Sequence, residues 1–435
     1  MEFANNPLTQ PSSLITNLSL GEQSPPTENE DNSPVTLTYQ DNSSYKGGWQ
    51  NGKKHGSGIL ILSNSDKYTG DFSQDKFEGK GTYQWTNGQQ YEGDWTDNKF
   101  NGKGKFIFLS KKINENQPEE EIKYIYYEGD FVNGKKQGFG KFVNEINNIS
   151  YEGAFDKDII NGKGKYLNDL GTYEGDFIEG IQTGSANFVS KNGDKYIGQY
   201  EFNKKCGIGE MFFANGDYYK GEFKNDMRNG RGEYTWRNDG GKYIGEFVND
   251  KKEGKGKLIF GNKDKYIGDF LNDKRHGKGK YIGHKGGYYD GDWVNDVKEG
   301  KGICKYRNGE KYEGSFKNDM RDGEGCYEWL LGDRYEGEFK EGKIEGKGKF
   351  FWKEKTRDEF GKERILEKSM EGTFSNEKIQ FFQNEIKEKY KKWKYNIISI
   401  FFCNIYEFFE IKLNEVFLLF NLDFKAFFII SKNML

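Results

Sequence analysis

The residue types that carry most enzyme and metal chemistry are scarce in this chain or wrongly spaced for it. There are 3 histidines and 4 cysteines in 435 residues. Cys206, Cys304, Cys326 and Cys403 stand far apart and form no C-x-x-C pair, so neither a zinc site nor a dithiol motif is expected. His55 and His276 occupy one place in a recurring pattern, which suits packing near a loop better than acid–base work. Neither Gly-Lys-Ser/Thr nor a Gly-x-Ser-x-Gly elbow occurs. Gly-x-Gly pairs are frequent and could suggest a phosphate cradle, but they open strands and not strand-to-helix turns. Carboxylates are abundant, yet their even spacing is accounted for by a sheet. The expectation is therefore a protein that is not an enzyme and has no cofactor or bound metal.

What positions these groups is a repeat. Tyr-x-Gly-x-aromatic begins at Tyr45, Tyr68, Tyr91, Tyr127, Tyr151, Tyr173, Tyr196, Tyr219, Tyr243, Tyr266, Tyr289, Tyr312 and Tyr335, with a worn copy at Met370, Gly372 and Phe374. Eleven residues after nearly every such Tyr comes Gly-x-Gly, as in Gly56/Gly58, Gly79/Gly81, Gly102/Gly104 and Gly277/Gly279. Apolar residues follow two and four positions on, such as Tyr83 and Trp85, or Phe350 and Trp352; in one copy Ala186 replaces the second glycine. Both segments have period two, so each repeat predicts a β-hairpin and the series an antiparallel meander.

Register follows from the turns. Asn-Gly at 87–88, 192–193, 215–216 and 308–309 marks the connections between repeats. A two-residue loop would place Tyr91 opposite Gln84 and on the wrong face. A three-residue loop with a glycine bulge pairs Tyr91 with Tyr83 and Trp95 with Gly79. The same register inside a repeat pairs Tyr68 with Tyr83 and Phe72 with Gly79. Glycine there would leave room for rings from both neighbouring strands. The other face alternates acids (Glu92, Asp94, Glu128, Asp130) with lysines (Lys80, Lys103, Lys105), so Asp94 is expected between Lys80 and Lys103, in a solvated face that satisfies itself.

Composition agrees. Gly is 58 of 435 and Pro only 6, while aromatics reach 17% within a total of only 34% hydrophobic residues, a mixture for strands and turns and not for one large aliphatic core. The charges balance, 66 basic against 69 acidic, which lacks the footprint of a nucleic-acid binder. The start of the sequence lacks the basic and apolar regions of a secretory signal, and a reduced, cytoplasmic protein is expected.

Tyr-x-Gly-x-Trp/Phe, a loop such as Asn51-Gly52-Lys53-Lys54-His55, then Gly-x-Gly, resembles the MORN (membrane occupation and recognition nexus) repeat, best at Tyr45–Gly58 and Tyr266–Gly279. The resemblance covers about residues 45–375. It implies an elongated single-layer β-sheet, and a family that includes cytoskeletal and ciliary scaffolds, junction proteins, and appendages of lipid kinases and a lysine methyltransferase.

The reading that results is all-β: about 14 hairpins in a single-layer antiparallel meander, with a C-terminal helical tail. Residues 1–40, rich in Ser, Asn, Pro, Glu and Thr, are expected to be a disordered arm. The array runs over 41–375, on the order of 130 Å at ~4.8 Å per strand. Charged insertions near 109–126 and 353–369 are expected as loops on one edge, solvated or in contact with partners. In the tail, 376–435, Ile379, Phe382, Ile386, Tyr390, Trp393 and Ile397 fall on one helical stripe, with Lys387, Lys391 and Lys394 mostly off it. That helix would cap the last sheet edge, lie on a membrane or meet a partner. No run reaches the 18 uncharged residues of a transmembrane helix.

The expected function is a non-catalytic scaffold binding cytoskeletal or ciliary proteins, with no nucleic acid and with self-association open to it. The alternatives are a membrane tether acting weakly through the tail, and a regulatory subunit of a separate enzyme. Trp95, Trp236, Trp293 and Trp329 are the candidate partner contacts on the aromatic face, although sheet stacking accounts for them more simply.

Overall fold

A computed structural model describes residues 34–113, 121–357, 362–385 and 388. The chain divides into two compact units, Met1–Gly277 and Lys278–Leu435. Among the described residues there are 28 strands and one short helix, 376–385. Within each unit the strands pair antiparallel with their neighbours in sequence, as expected for a meander.

Each tyrosine from Tyr45 to Tyr335 opens a hairpin. The worn copy at Met370 supplies one strand, Glu363–Ser375, and then gives way to the helix. Ser375 caps that helix: its Oγ accepts the N–H of Lys378 at 3.3 Å. At the other end, Val35–Thr38 forms a strand against Ser44–Gln50, inside the stretch expected to be a disordered arm. The two insertions also differ from the loops expected. They prolong paired strands, Lys99–Ile113 with Glu121–Val132 and Lys343–Arg357 with Glu363–Ser375.

Between repeats the connection is the bulged three-residue loop. Gln84 pairs with Gln90, Tyr83 with Tyr91 and Gly79 with Trp95. Inside the repeat the expected register fails in its second half. Tyr68 does pair with Tyr83, but Phe72 pairs with Phe77 and not with Gly79. Two local features enforce the shift. Gln74 and Asp75 both have positive φ, 51° and 68°, so the hairpin closes through a two-residue turn. Gly79 has φ 62°, a left-handed conformation that costs a side-chain-bearing residue, and it makes the bulge.

The two glycines of each Gly-x-Gly therefore do different things. The first supplies the left-handed backbone. The second supplies space, above all for its own repeat's tyrosine. A Cβ on Gly81 would lie 2.5 Å from Cζ and 2.6 Å from Cε2 of Tyr68.

Candidate interaction surface

The aromatic face is a zipper of edge-to-face rings. Tyr68 meets Phe72 at 5.0 Å within its strand and Trp95 of the next repeat at 5.3 Å. Tyr91 then meets Trp95 at 5.1 Å and Phe131 at 5.4 Å. The alternation recurs in the second unit through Tyr289, Phe316, Tyr312, Phe339, Tyr335 and Phe374. Each such pair contributes about 0.5–1.5 kcal/mol beyond the area it buries. The tyrosine hydroxyls donate to carbonyls three residues on, as Tyr68 to Asp71 at 2.9 Å and Tyr91 to Asp94 at 2.8 Å. Burial pushes their pKa values up, to about 12 for Tyr151 and higher for Tyr68 and Tyr91.

One position on this face was not singled out by the sequence reading. The residue two places after each tight turn lies against the repeat's tyrosine. In two repeats it is Phe77 or Phe100, stacked on Tyr68 at 3.9 Å and on Tyr91 at 3.8 Å. In others it is a cation among rings. Arg228 lies 5.7 Å from the Tyr219 ring centre and 5.3 Å from that of Phe247; Arg321 lies 5.7 Å from Tyr312 and 5.5 Å from Phe339. Lys54, Lys136, Lys205, Lys252 and Lys298 do the same with ammonium groups.

Two rails of side-chain to backbone bonds stitch successive repeats. At the tight-turn edge a turn residue of the next repeat accepts a backbone N–H: Lys54 to Asp75 at 2.9 Å, Phe77 to Asn98 at 2.7 Å, Lys298 to Asp319 at 3.0 Å. The turn's own N–H returns the bond, as Asp75 to the Lys54 carbonyl at 3.1 Å. At the loop edge, carboxylates reach the following loop. Asp217 accepts the N–H of Arg237 at 2.9 Å and the hydroxyl of Tyr234 at 2.7 Å. The Arg237 N–H, with the Tyr234 hydroxyl, holds the Asp217 pKa below the usual carboxylate value. Asp66, 6% exposed, accepts the N–H of Thr86 at 2.8 Å and the hydroxyl of Tyr83 at 3.2 Å.

The charged face is troughed. In the second unit a cavity of about 1070 Å³ lies along it, floored by Gly302, Gly314, Gly325 and Gly337 and walled by Lys301, Glu313, Glu324 and Lys347. In the first unit one trough of about 890 Å³ includes Phe139, Ile197 and Ile208, and another of about 1050 Å³ includes Lys80, Lys103 and Glu128. The floor residues face away from the trough, since a Cβ on Gly302, Gly314 or Gly325 would meet the Tyr289 or Tyr312 ring on the other face, so the trough is floored by backbone.

The walls are mostly ion-paired. Lys80 meets Asp94 at 2.5 Å, as expected. Lys103 gives Asp94 only its backbone N–H, at 2.8 Å, and sends its ammonium on to Asp130 at 2.6 Å, because the bulge lets Asp94 slip out of the ladder. The pairing breaks at several positions, as where Lys301 stands opposite Ser315. Phe139, 58% exposed, stands opposite Ala154, and Ile208, 69% exposed, stands opposite Glu222. In the second unit Glu324 stands directly opposite Glu338, a like-charge juxtaposition that is destabilising by itself.

The four candidate tryptophans separate. Trp95 and Trp293 are 1% and 2% exposed, with their indole N–H groups donated to the carbonyls of Gly81 at 3.0 Å and Gly279 at 2.9 Å. They hold strands together and offer a partner almost no surface. Trp236 and Trp329 are half-buried at strand ends, beside Tyr234 and Tyr327. Trp49 has a buried indole nitrogen without a partner among the described residues; Val35 stands opposite Gly47 where the later repeats have a glycine, as Gly81 stands opposite Gly93. In the tail, Ile379 is 2% exposed and Phe382 half-buried, while Ile386, Tyr390, Trp393, Lys387, Lys391 and Lys394 lie outside the described residues.

Cys206, Cys304 and Cys326 are free thiols whose pKa values burial raises, and the described residues contain no group of three or more potential metal ligands. His55 and His276 are half-buried, with Nδ1 atoms that have no partner among the described residues. Their place in the repeat is that of Glu78 and Glu253, which accept turn N–H groups at 3.1 and 2.9 Å.

No curated protein matches the chain. The family model for the MORN repeat matches at residues 45–67, 68–90, 91–109, 127–145, 151–168, 173–195, 196–218, 219–241, 243–265, 266–288, 289–311, 312–330 and 335–357. Its phase coincides with the tyrosines that open the hairpins, and its matches cover more than half of the sequence; the chain belongs to the MORN repeat family.

Proposed function

We propose that this protein is a non-catalytic scaffold that holds a partner protein along the troughs of its charged face. The observation that carries this reading is the trough of the second unit, about 1070 Å³, whose lining carboxylate Glu324 stands opposite Glu338 of the neighbouring strand. A trough carboxylate that faces a like charge suits a basic segment, which would gain a charge-assisted bond to Glu324. The aromatic face contributes less, because its rings are spent on one another.

A cytoskeletal or ciliary setting is the reading that family membership supports. The test uses the full chain. Retention in a detergent-resistant cytoskeletal or ciliary fraction is expected for the natural sequence, and loss of retention for Glu324→Lys with Glu338→Lys. Full solubility of the natural chain would overturn the setting, and undiminished retention of the double variant would overturn the trough. The membrane-tether alternative draws on tail lysines outside the described residues. No helix among the described residues is long and apolar enough to cross a membrane. Co-sedimentation of the full chain with anionic vesicles at physiological salt would favour that alternative.

A further inference from the structure

The chain contains nine Asn-Gly dipeptides, at 51, 87, 101, 133, 161, 192, 215, 229 and 308. This pair has an intrinsic reaction. The glycine backbone nitrogen attacks the Cγ of the preceding asparagine, forming a C–N bond, and the amide nitrogen leaves as ammonia. The cyclic imide then takes up one water and opens to aspartate or isoaspartate. Glycine favours the attack because no side chain shields its nitrogen. In a folded chain the rate depends on whether that nitrogen and the asparagine amide are already engaged.

Eight of the nine are restrained. Asn87, Asn192 and Asn215 accept the N–H two residues on, at 3.0, 3.3 and 2.9 Å, and their Nδ2 groups donate to Gln89, Asp194 and Asp217. The following glycines donate to the carbonyls of Trp85, Ser190 and Phe213 at 3.0, 3.0 and 2.8 Å. Asn308 accepts the Glu310 N–H at 3.1 Å, and Gly309 donates to Tyr306 at 3.0 Å. Asn101, Asn161 and Asn229 precede glycines held in strand pairs with Phe131, Phe177 and Phe247. Asn133 sits in a tight turn, but its Gly134 donates to the Phe100 carbonyl at 2.9 Å.

Asn51-Gly52 differs for a topological reason. In later turns the second residue donates its N–H to a strand carbonyl of the repeat before, as Asp75 to Lys54 and Gly134 to Phe100, and among the described residues the first hairpin has no repeat before it. Both residues are exposed, neither has a hydrogen bond through the asparagine side chain or the glycine nitrogen among the described residues, and a Cβ on Gly52 would find nothing within 4 Å. We propose that Asn51 is a spontaneous modification site, turning to aspartate and isoaspartate while the other eight asparagines persist. Isoaspartate lengthens the backbone by one methylene inside the two-residue turn that joins Ser44–Gln50 to Lys53–Ile61, which opens the first hairpin at its tip.

The experiment ages the full chain at mildly alkaline pH, once folded and once in urea, and follows each Asn-Gly peptide by mass spectrometry with isoaspartate detection. Urea gives each site its unrestrained rate. Folded and urea rates at Asn51 should agree within about twofold, while the other eight slow by about tenfold or more, the factor that roughly 1.4 kcal/mol of opening free energy represents. Asn51→Gln should remove the early product and leave circular dichroism unchanged. Slowing of Asn51 equal to that of the others, or earlier conversion at any other site, would overturn the proposal.

Discussion

Adding one methyl group at Gly81 tests the logic of the repeat. The new Cβ would lie 2.5 Å from Cζ of Tyr68, well inside van der Waals contact, and that ring is 1% exposed. It cannot turn aside without leaving Phe72 and Trp95 and breaking its hydroxyl bond to the Asp71 carbonyl. Overpacking costs roughly 1–3 kcal/mol. The lost edge-to-face contacts add about 1–2 kcal/mol and the hydrogen bond about 1 kcal/mol. Gly81→Ala should therefore destabilise its repeat by about 3–5 kcal/mol. Because repeat arrays unfold locally, hydrogen exchange is the suitable assay. Amide protection in Lys67–Ser73 and Lys76–Gln84 should fall by roughly two orders of magnitude or more. Gly372→Ala is the control, since a Cβ there meets nothing within 4 Å; its effect should stay within about 0.5 kcal/mol. The double variant Gly81→Ala with Tyr68→Ala decides the cause. If the methyl costs as much without the ring as with it, the spatial explanation of the second glycine is wrong.

Arg228→Phe should leave stability within about 1 kcal/mol, since Phe77 and Phe100 occupy the equivalent place and an exposed ion pair such as Arg228–Asp250 contributes little; a urea titration showing a much larger loss would contradict it. Asp217→Ala strips an acceptor from the Arg237 N–H and the Tyr234 hydroxyl, and should cost about 1–2 kcal/mol, read as faster exchange at Arg237. Tyrosine ionisation should drive alkaline unfolding: the Tyr151 pKa is about 12 folded against 10.0 in the free chain, so the stability it confers is complete below about pH 10 and is lost as pH rises towards 12, which tyrosinate absorbance would follow. Asp217 acts in the opposite direction. Its folded pKa lies below 3.8, so its contribution is present above that value and fades as pH falls through the folded one, a loss that Asp217→Asn should abolish.

Much of the fold was legible because two signals were local and redundant. Alternation fixed the strands, and Asn-Gly fixed the loop that sets Tyr83 opposite Tyr91. The register inside the repeat was misread because Gly79 looked like space for a ring, when its role is a left-handed backbone; composition alone does not separate these uses. The row holding Lys54, Phe77 and Arg228 was invisible for the converse reason. Ammonium, phenyl and guanidinium all find a place against a tyrosine ring, so one spatial position is filled by residues with no common type. The insertions were read as loops from their charge, yet charged side chains on the exposed side of a strand are compatible with pairing, as Lys353 opposite Glu367 shows. The troughs were not legible, since they arise from side chains brought together across several strands. Glu324 opposite Glu338 could have been found, because the correct register was available and only the signs needed comparing.

The rails carry an evolutionary corollary. Their bonds run from one repeat to the next over nearly constant separations, 21 residues from Lys54 to Asp75 and again from Lys298 to Asp319, 20 from Asp217 to Arg237. A bonding scheme that repeats by translation is indifferent to the number of copies. A gene encoding it can be lengthened or shortened by whole units through unequal recombination, and each junction would regain its donors and acceptors, so copy number can drift while the chemistry of every join is conserved.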